Sequence, residues 1–196
     1  WGAVHDTGEM TYMNLVHLDG VDGTDPHSLT RSEMEGRKQA MLAIEALRAY
    51  SPGCEGIRLR NFGMSIGIRD TRKVDCLYNM SEQDVRGEAR FDDSIGIFPE
   101  FIDGYGLLIL PTTGRYFHMP YRNLLPKEVQ NLLIAGRCTG GDRISHAATR
   151  NMACCAVGGQ GAGIAAALSV RKKCTPADLP VSAIQSELTR QGARWQ

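Results

Sequence analysis

The chain has 196 residues, 42% hydrophobic and 22% charged, with 22 Lys plus Arg against 22 Asp plus Glu. That length suits one large domain or one and a half small ones, and the composition is that of a soluble globular chain. A formal charge of zero leaves no electrostatic footprint for nucleic acid or an anionic membrane, and no window supplies about 18 strongly apolar residues for a membrane span.

Six cysteines, Cys54, Cys76, Cys138, Cys154, Cys155 and Cys174, form no CxxC pair and no zinc spacing. They read as buried free thiols in the cytoplasm or another reducing compartment, and no metal site is expected. His5, His17 and His27 match no ligand pattern and read as loop histidines. The sequence opens on Trp1 and not on methionine, which fits a piece of a longer protein.

Thr11 to Leu18 predicts a strand, followed by turns at Asp19-Gly20 and Asp22-Gly23. Thr30 and Glu33 have capping-box spacing and Ser51-Pro52-Gly53 is a stop, so a helix is predicted over Thr30 to Tyr50. Its core face would hold Met34, Met41, Ile44 and Leu47. Ile57 to Ile68 reads as β-rich. Arg69 and Arg72 follow, placed either to grip a carboxylate or phosphate or to pair with Asp70 and Asp75.

Ser81 and Asp84 predict a short capped helix. Asp92 and Asp93 form a carboxylate pair, but nothing around them resembles a hydrolase, so loop and cap roles are the better reading. Leu107 to Leu110 and Arg115 to Tyr121 predict a hairpin about Pro111 to Gly114. Alternation puts Tyr116 and His118 on one face of it and Arg115 and Phe117 on the other. Aromatic and cationic residues together suit a planar anionic ligand or a flavin face.

The apolar run Leu132 to Ala135 predicts a strand covered on both faces, and Gly136 to Asp142 the ligand-facing loop at its carboxyl end. Gly140 and Gly141 would clear side chains from a ligand, and Asp142 would accept from a hydroxyl. A helix is expected from about Thr149, with the amides of Arg150, Asn151 and Met152 pointing at the loop. Such a start suits a phosphate, a carboxylate or a heterocyclic oxygen. Gly158, Gly159, Ala162, Gly163 and Ala166 predict close packing of this helix; the charges nearby argue against a membrane dimer. Val181, Ile184 and Leu188 predict a terminal amphipathic helix, for packing or an oligomer contact.

The segment NLLIAGRCTGGDRISHAATRNMACCAVGGQGAGIAAAL, together with GIRDTRKVDCLYNMSEQDV, FDDSI and PYRNLLP, resembles the C-terminal signature of FAD-dependent oxidoreductases with a glutathione-reductase-like flavin fold. The resemblance spans about Gly67 to Leu168. It implies a mixed α/β fold, the C-terminal part of an FAD/NAD(P)-binding type. Residues 1–128 would be a helical and β-rich substrate portion, 129–170 the returning strand, loop and helix of the flavin domain, and 171–196 a C-terminal helix. It implies FAD as cofactor and hydride or electron transfer to it from a small substrate, with an acid as the candidate. Gly136, Arg137, Gly140, Gly141 and Asp142 would pass the ribityl and diphosphate part. Ser145, His146 and Arg150 would lie beside the isoalloxazine, and Asn151 and Met152 would face its pyrimidine carbonyl. Arg69, His118 and His146 would be catalytic; Arg72, Tyr116 and Tyr121 would contact substrate.

The sequence departs from the pattern by lacking a GxGxxG loop after a first strand and the acidic residue that accompanies it. Only half of the FAD site is therefore expected here, inactive alone, with the other half in an N-terminal segment or a separate chain. The alternative is a non-catalytic binding or assembly module that keeps the architecture. A third reading is a thiol redox protein using Cys138 or Cys154.

Overall fold

The computed structural model describes residues 3–196 apart from Tyr12, Leu15, Tyr105, Gly106 and the side chain of Val4. It has two units, divided between Thr71 and Arg72. The expected boundaries at 128 and 170 both fall inside the second.

In the first unit, β1 (Ala3–Val4) pairs antiparallel with β2 (Met10–Thr11). The strand expected over Thr11 to Leu18 is thus confined to its first residue among those described. Helix α1 runs over Pro26–Tyr50, starting earlier than Thr30. Asp25, not Thr30, is its cap: the carboxylate accepts the N–H groups of His27 and Ser28 at 3.1 and 3.0 Å, and Pro26 supplies a preset φ where no amide partner is needed. Met34 and Met41 are exposed, while Ser28 and Ser32 are buried, so the Met stripe is not this helix's covered face. The described residues between Ile57 and Ile68 form no strand. Their anchors are side chains: Glu33 accepts the Ile66 N–H at 2.6 Å, and Arg48 donates to the Ile57 carbonyl at 2.8 Å. Alternation alone makes no ladder without a neighbouring strand to accept it.

The second unit is built on β3 (Ser94–Pro99) and β6 (Tyr116–Pro120), paired antiparallel with a bulge between Ser94 and Gly96. Nested between them, β4 (Ile102–Gly104) pairs with β5 (Leu107–Ile109). The expected hairpin of Leu107 to Leu110 with Arg115 to Tyr121 is therefore replaced: each strand takes a partner that precedes it. Pro111 has no N–H to extend β5, and the turn after it needs Gly114 at φ +87°.

Helix α2 (Glu82–Arg86) carries the expected capping box of Ser81 and Asp84. Helix α4 (Met152–Lys172) lies on β3. Gly96 leaves room for Val157, and Gly161 leaves room for Ile95, where a Cβ would stand 2.6 Å from Cδ1. Gly159 and Gly163 meet nothing within 4 Å, so close packing accounts for only part of the glycine content. α4 is long and apolar enough to cross a membrane by composition; a third of that stretch is buried, and it packs on β3 and α5 (Val181–Arg190). Ile95, Ile102, Phe117, Tyr121, Leu124, Ile184 and Leu188 fill the core between them.

Two corrections fall on the central segment. Leu132 to Ala135 is not a strand. It is held by one ladder-like bond, Ile134 N–H to the Leu124 carbonyl at 3.0 Å, and no described strand lies beside it to complete a ladder. The helix expected from Thr149 is two helices, α3 (Arg143–Thr149) and α4. The break has a cause in Asn151, which is extended at φ −62°, ψ 144° and whose side-chain amide donates to the carbonyls of Ala147 and Ala148. That closes α3 and restarts the count.

Candidate functional site

The loop between Gly136 and Asp142 is built against residues 74–80. Val74 N–H donates to the Cys138 carbonyl at 2.8 Å and Met80 N–H to the Gly140 carbonyl at 3.1 Å. Asn123, fully buried, donates to the carbonyls of Tyr78 and Gly140 at 2.9 and 2.7 Å. The room left by Gly140 is taken by Asn79 and the Val74 carbonyl, and that left by Gly141 by Ser145 Oγ and the Met80 carbonyl. Asp142 is the cap of α3, accepting the Ser145 N–H at 2.8 Å, and it also accepts the Glu82 N–H at 2.6 Å. Ser145 Oγ donates to the Met80 carbonyl at 2.8 Å. These contacts knit the loop to the chain beneath it.

The other half of the loop is open. Gly136 begins a 3-10 turn (Gly136–Cys138) at φ +79°, with nothing within 4 Å of a Cβ position. Arg137 is exposed, and its carbonyl receives a 2.9 Å hydrogen bond from Nε2 of His146, which is buried. Arg150 donates to the Asp103 carbonyl and lies 3.7 Å from its carboxylate, tying the α3–α4 elbow to β4. The amides of Arg150 and Asn151 turn back to the carbonyls of His146 and Ala148, so of the three expected donors only Met152 belongs to the first turn of α4. That turn has no side-chain cap, and Met152 is 91% exposed.

A second group gathers on β6. The rings of Tyr116 and His118 stack at 6.1 Å and 19°, as alternation predicts. The Arg90 guanidinium lies 3.9 Å from the Tyr116 ring centre and that of Arg194 5.4 Å away. His118 Nδ1 is 3.2 Å from the Phe91 N–H and 3.4 Å from its carbonyl; the shorter contact makes it the acceptor in the neutral ring. Burial, helped by the charge of Arg90, holds its pKa below the ordinary histidine value against the pull of the Phe91 carbonyl. A surface cleft of about 400 Å³ is lined by Arg90, Phe91, Asp92, Asp93 and Arg122. Arg122 grips Asp93 with two bonds of 2.9 and 3.1 Å. Sequence reasoning missed Arg90: its distance from Tyr116 in the chain hides a contact made where residues 89–91 run along β6, with the His118 N–H donating to the Ala89 carbonyl at 3.0 Å.

The remaining candidates fall on other segments. Tyr121 is 2% exposed and its hydroxyl donates to the Pro176 carbonyl at 2.8 Å, a core post. Arg69 is exposed in the first unit, and Arg72 is exposed at the start of the second.

The second unit is thus of mixed helix and strand, with an uncapped long-helix start beside an open glycine turn. Residues 3–188 match the family of FAD dependent oxidoreductases, and the chain belongs to that family. Neither the curated proteins nor the solved structures give a significant match. The family's chemistry is flavin-dependent redox chemistry with FAD as cofactor. At the elbow, Gly136, Arg137 and the first turn of α4 fit an electron-rich group; the space at Gly140 and Gly141 is filled by the protein itself.

Proposed function

We propose that this chain carries the isoalloxazine side of an FAD site, with the flavin's pyrimidine edge at the start of α4. The observation that carries this is the uncapped first turn, where helix geometry leaves the amides of Met152, Ala153 and Cys154 without intrahelical acceptors. Aligned peptide dipoles add roughly half a positive charge there. Bound FAD would accept a hydride or electron pair from a small substrate. The amides would hold the negative charge that develops on a carbonyl oxygen, and Arg137 would add to it across the open side of Gly136. His146 acts through the turn, fixing the Arg137 carbonyl, and Arg150 fixes the elbow.

On β6, neutral His118, whose Nδ1 accepts the Phe91 N–H, presents an Nε2–H donor beside Tyr116, and Arg90 supplies a cation to an acidic substrate. Arg72, in the same unit, is a candidate to anchor such an acid, while Tyr121 serves the core. No GxGxxG loop occurs in the sequence, so the adenine half of the cofactor would be held by another segment or chain. The competing reading, a non-catalytic module, is favoured by one observation: Gly140, Gly141, Asp142 and Ser145 are all engaged in internal packing.

The test is the natural protein purified without added cofactor. A yellow preparation that releases FAD on denaturation is expected. A colourless one that also fails to take up FAD overturns the proposal in favour of the module.

A further inference from the structure

The chain beyond α5 follows a fixed course across the second unit. Gly192 turns it at φ +73°, and the Ala193 N–H donates to the Leu188 carbonyl at 2.9 Å. Trp195 is then held at two points. Its carbonyl accepts the hydroxyl of the fully buried Ser94, and its indole N–H donates to Thr189 Oγ1 at 3.0 Å. Arg194 stands between Ala193 and Trp195, which both pack on the core. Its own side chain is exposed and reaches over Tyr116 of β6.

Two guanidinium groups therefore meet one ring. That of Arg90 is 3.9 Å from the Tyr116 ring centre and that of Arg194 is 5.4 Å, so the two groups can be no farther apart than those distances laid end to end. Arg90 is locked by its Nη1, which donates to the main-chain carbonyls of Glu88 and Tyr116. Its Nη2 is 3.6 Å from the Glu88 carboxylate, too far for a hydrogen bond, and keeps its donors for a ligand. Arg194 Nε donates to the Gln196 main-chain oxygen at 3.1 Å, and among the described residues Arg194 forms no ion pair with Asp or Glu. Other arginines of this region differ: Arg86 and Arg115 share Glu100, and Arg122 grips Asp93. A guanidinium held by main-chain and aromatic contacts keeps its charge for an incoming anion.

We infer that Arg90 and Arg194 form a two-guanidinium site for a small dicarboxylate beside Tyr116. One fork satisfies one carboxylate with paired N–H···O bonds, so two forks select a ligand with two acid groups over a ligand with one. A diacid of about three to five carbons can set one carboxylate on each. The acidic substrate proposed for β6 is then a diacid, and the inference rests on that reading for calling it the substrate. The binding itself does not need the flavin.

The experiment titrates malonate, succinate, glutarate and butyrate separately into the natural protein by isothermal calorimetry. At least one diacid should bind about tenfold more tightly than butyrate. Arg194→Gln should weaken that diacid roughly tenfold to a hundredfold, to the level of butyrate, through the loss of one charge-assisted fork. Arg190→Gln removes the same charge from α5, where Arg190 is paired with Glu187, and should bind like the parent. Both side chains are exposed, and unchanged melting temperatures show that the variants are folded. Diacids no tighter than butyrate, an Arg194→Gln variant as tight as the parent, or an equal loss in Arg190→Gln would each overturn the inference. Flavin content of the same preparations separates the two readings. A colourless protein that binds the diacid keeps the site without the cofactor, and a yellow one that does not bind it loses only the site.

Discussion

The carboxylate of Asp142 accepts the backbone N–H of Glu82 at 2.6 Å while its other oxygen caps α3 through Ser145. One side chain therefore closes the starts of two helices far apart in sequence. Asp142→Ala should lose both bonds and lower stability by about 1–3 kcal/mol, a cap contributing about 1 and the second acceptor a similar amount. Urea unfolding reads this directly. A variant as stable as the parent would return Asp142 to a purely ligand-binding role.

The glycines of α4 divide by what surrounds them. Gly159 and Gly163 have open space, so Gly159→Ala and Gly163→Ala should each stabilise by about 0.5–1 kcal/mol, the helix propensity gained. At Gly161 the same methyl lands 3.2 Å from Cβ of the buried Ile95 and closer to Cδ1. Overpacking of about 1–3 kcal/mol exceeds the propensity gain, so Gly161→Ala should destabilise. Thermal unfolding of the three variants gives opposite signs if the packing on β3 is as described.

His118 makes stability pH-dependent on the acid side. Its folded pKa is lowered, chiefly by burial, so below about pH 6.5 the unfolded chain binds a proton that the folded chain resists. Stability is full above that pH and falls as pH drops toward the folded pKa. His118→Gln should flatten this limb of a melting-temperature profile; an unchanged slope would assign it to other groups.

Tyr121 acts on the alkaline side. Its hydroxyl donates to the Pro176 carbonyl, and burial, with a smaller push from Cys174, raises its pKa to about 12. Stability present at neutral pH should fall as pH rises from about 10 toward 12, because the unfolded phenol ionises first. Tyr121→Phe should cost about 0.5–1.5 kcal/mol at neutral pH by removing one bond to the Pro176 carbonyl, which keeps the Leu179 N–H, and should reduce the alkaline loss. Tyr78, raised to about 12 mainly by burial, with help from its bond to Asp84, keeps part of that loss in the variant.

Signals confined to a few residues were legible in the sequence: the Ser81–Asp84 box, the stop at Ser51, the shared face of Tyr116 and His118. Features set by pairing across the chain were not. β6 pairs with β3 and not β5, and residues 89–91 run along β6 and bring Arg90 to Tyr116; no local pattern encodes either choice. The helix start was misplaced because Asp142 was read as a ligand residue and not as a cap, and because Asn151 breaks a run whose composition stays helical. Gly140 reads in the sequence as clearing side chains from a ligand, and in the structure Asn79 and the Val74 carbonyl occupy that space.

The flavin reading can be tested at one backbone atom. Proline is well tolerated at the first position of a helix, where its missing N–H has no intrahelical acceptor. Asn151 already has the extended conformation a residue before proline prefers. Met152→Pro should therefore fold as the parent does while deleting one donor at the start of α4. If that amide holds a developing negative charge, the loss of a charge-assisted bond of about 1.5–3 kcal/mol weakens FAD binding roughly tenfold to a hundredfold. Met152→Ala keeps the amide and should bind like the parent. Titration of FAD into the natural protein and both variants, followed by flavin fluorescence, separates backbone from side chain. Equal affinity in all three would move the flavin away from α4.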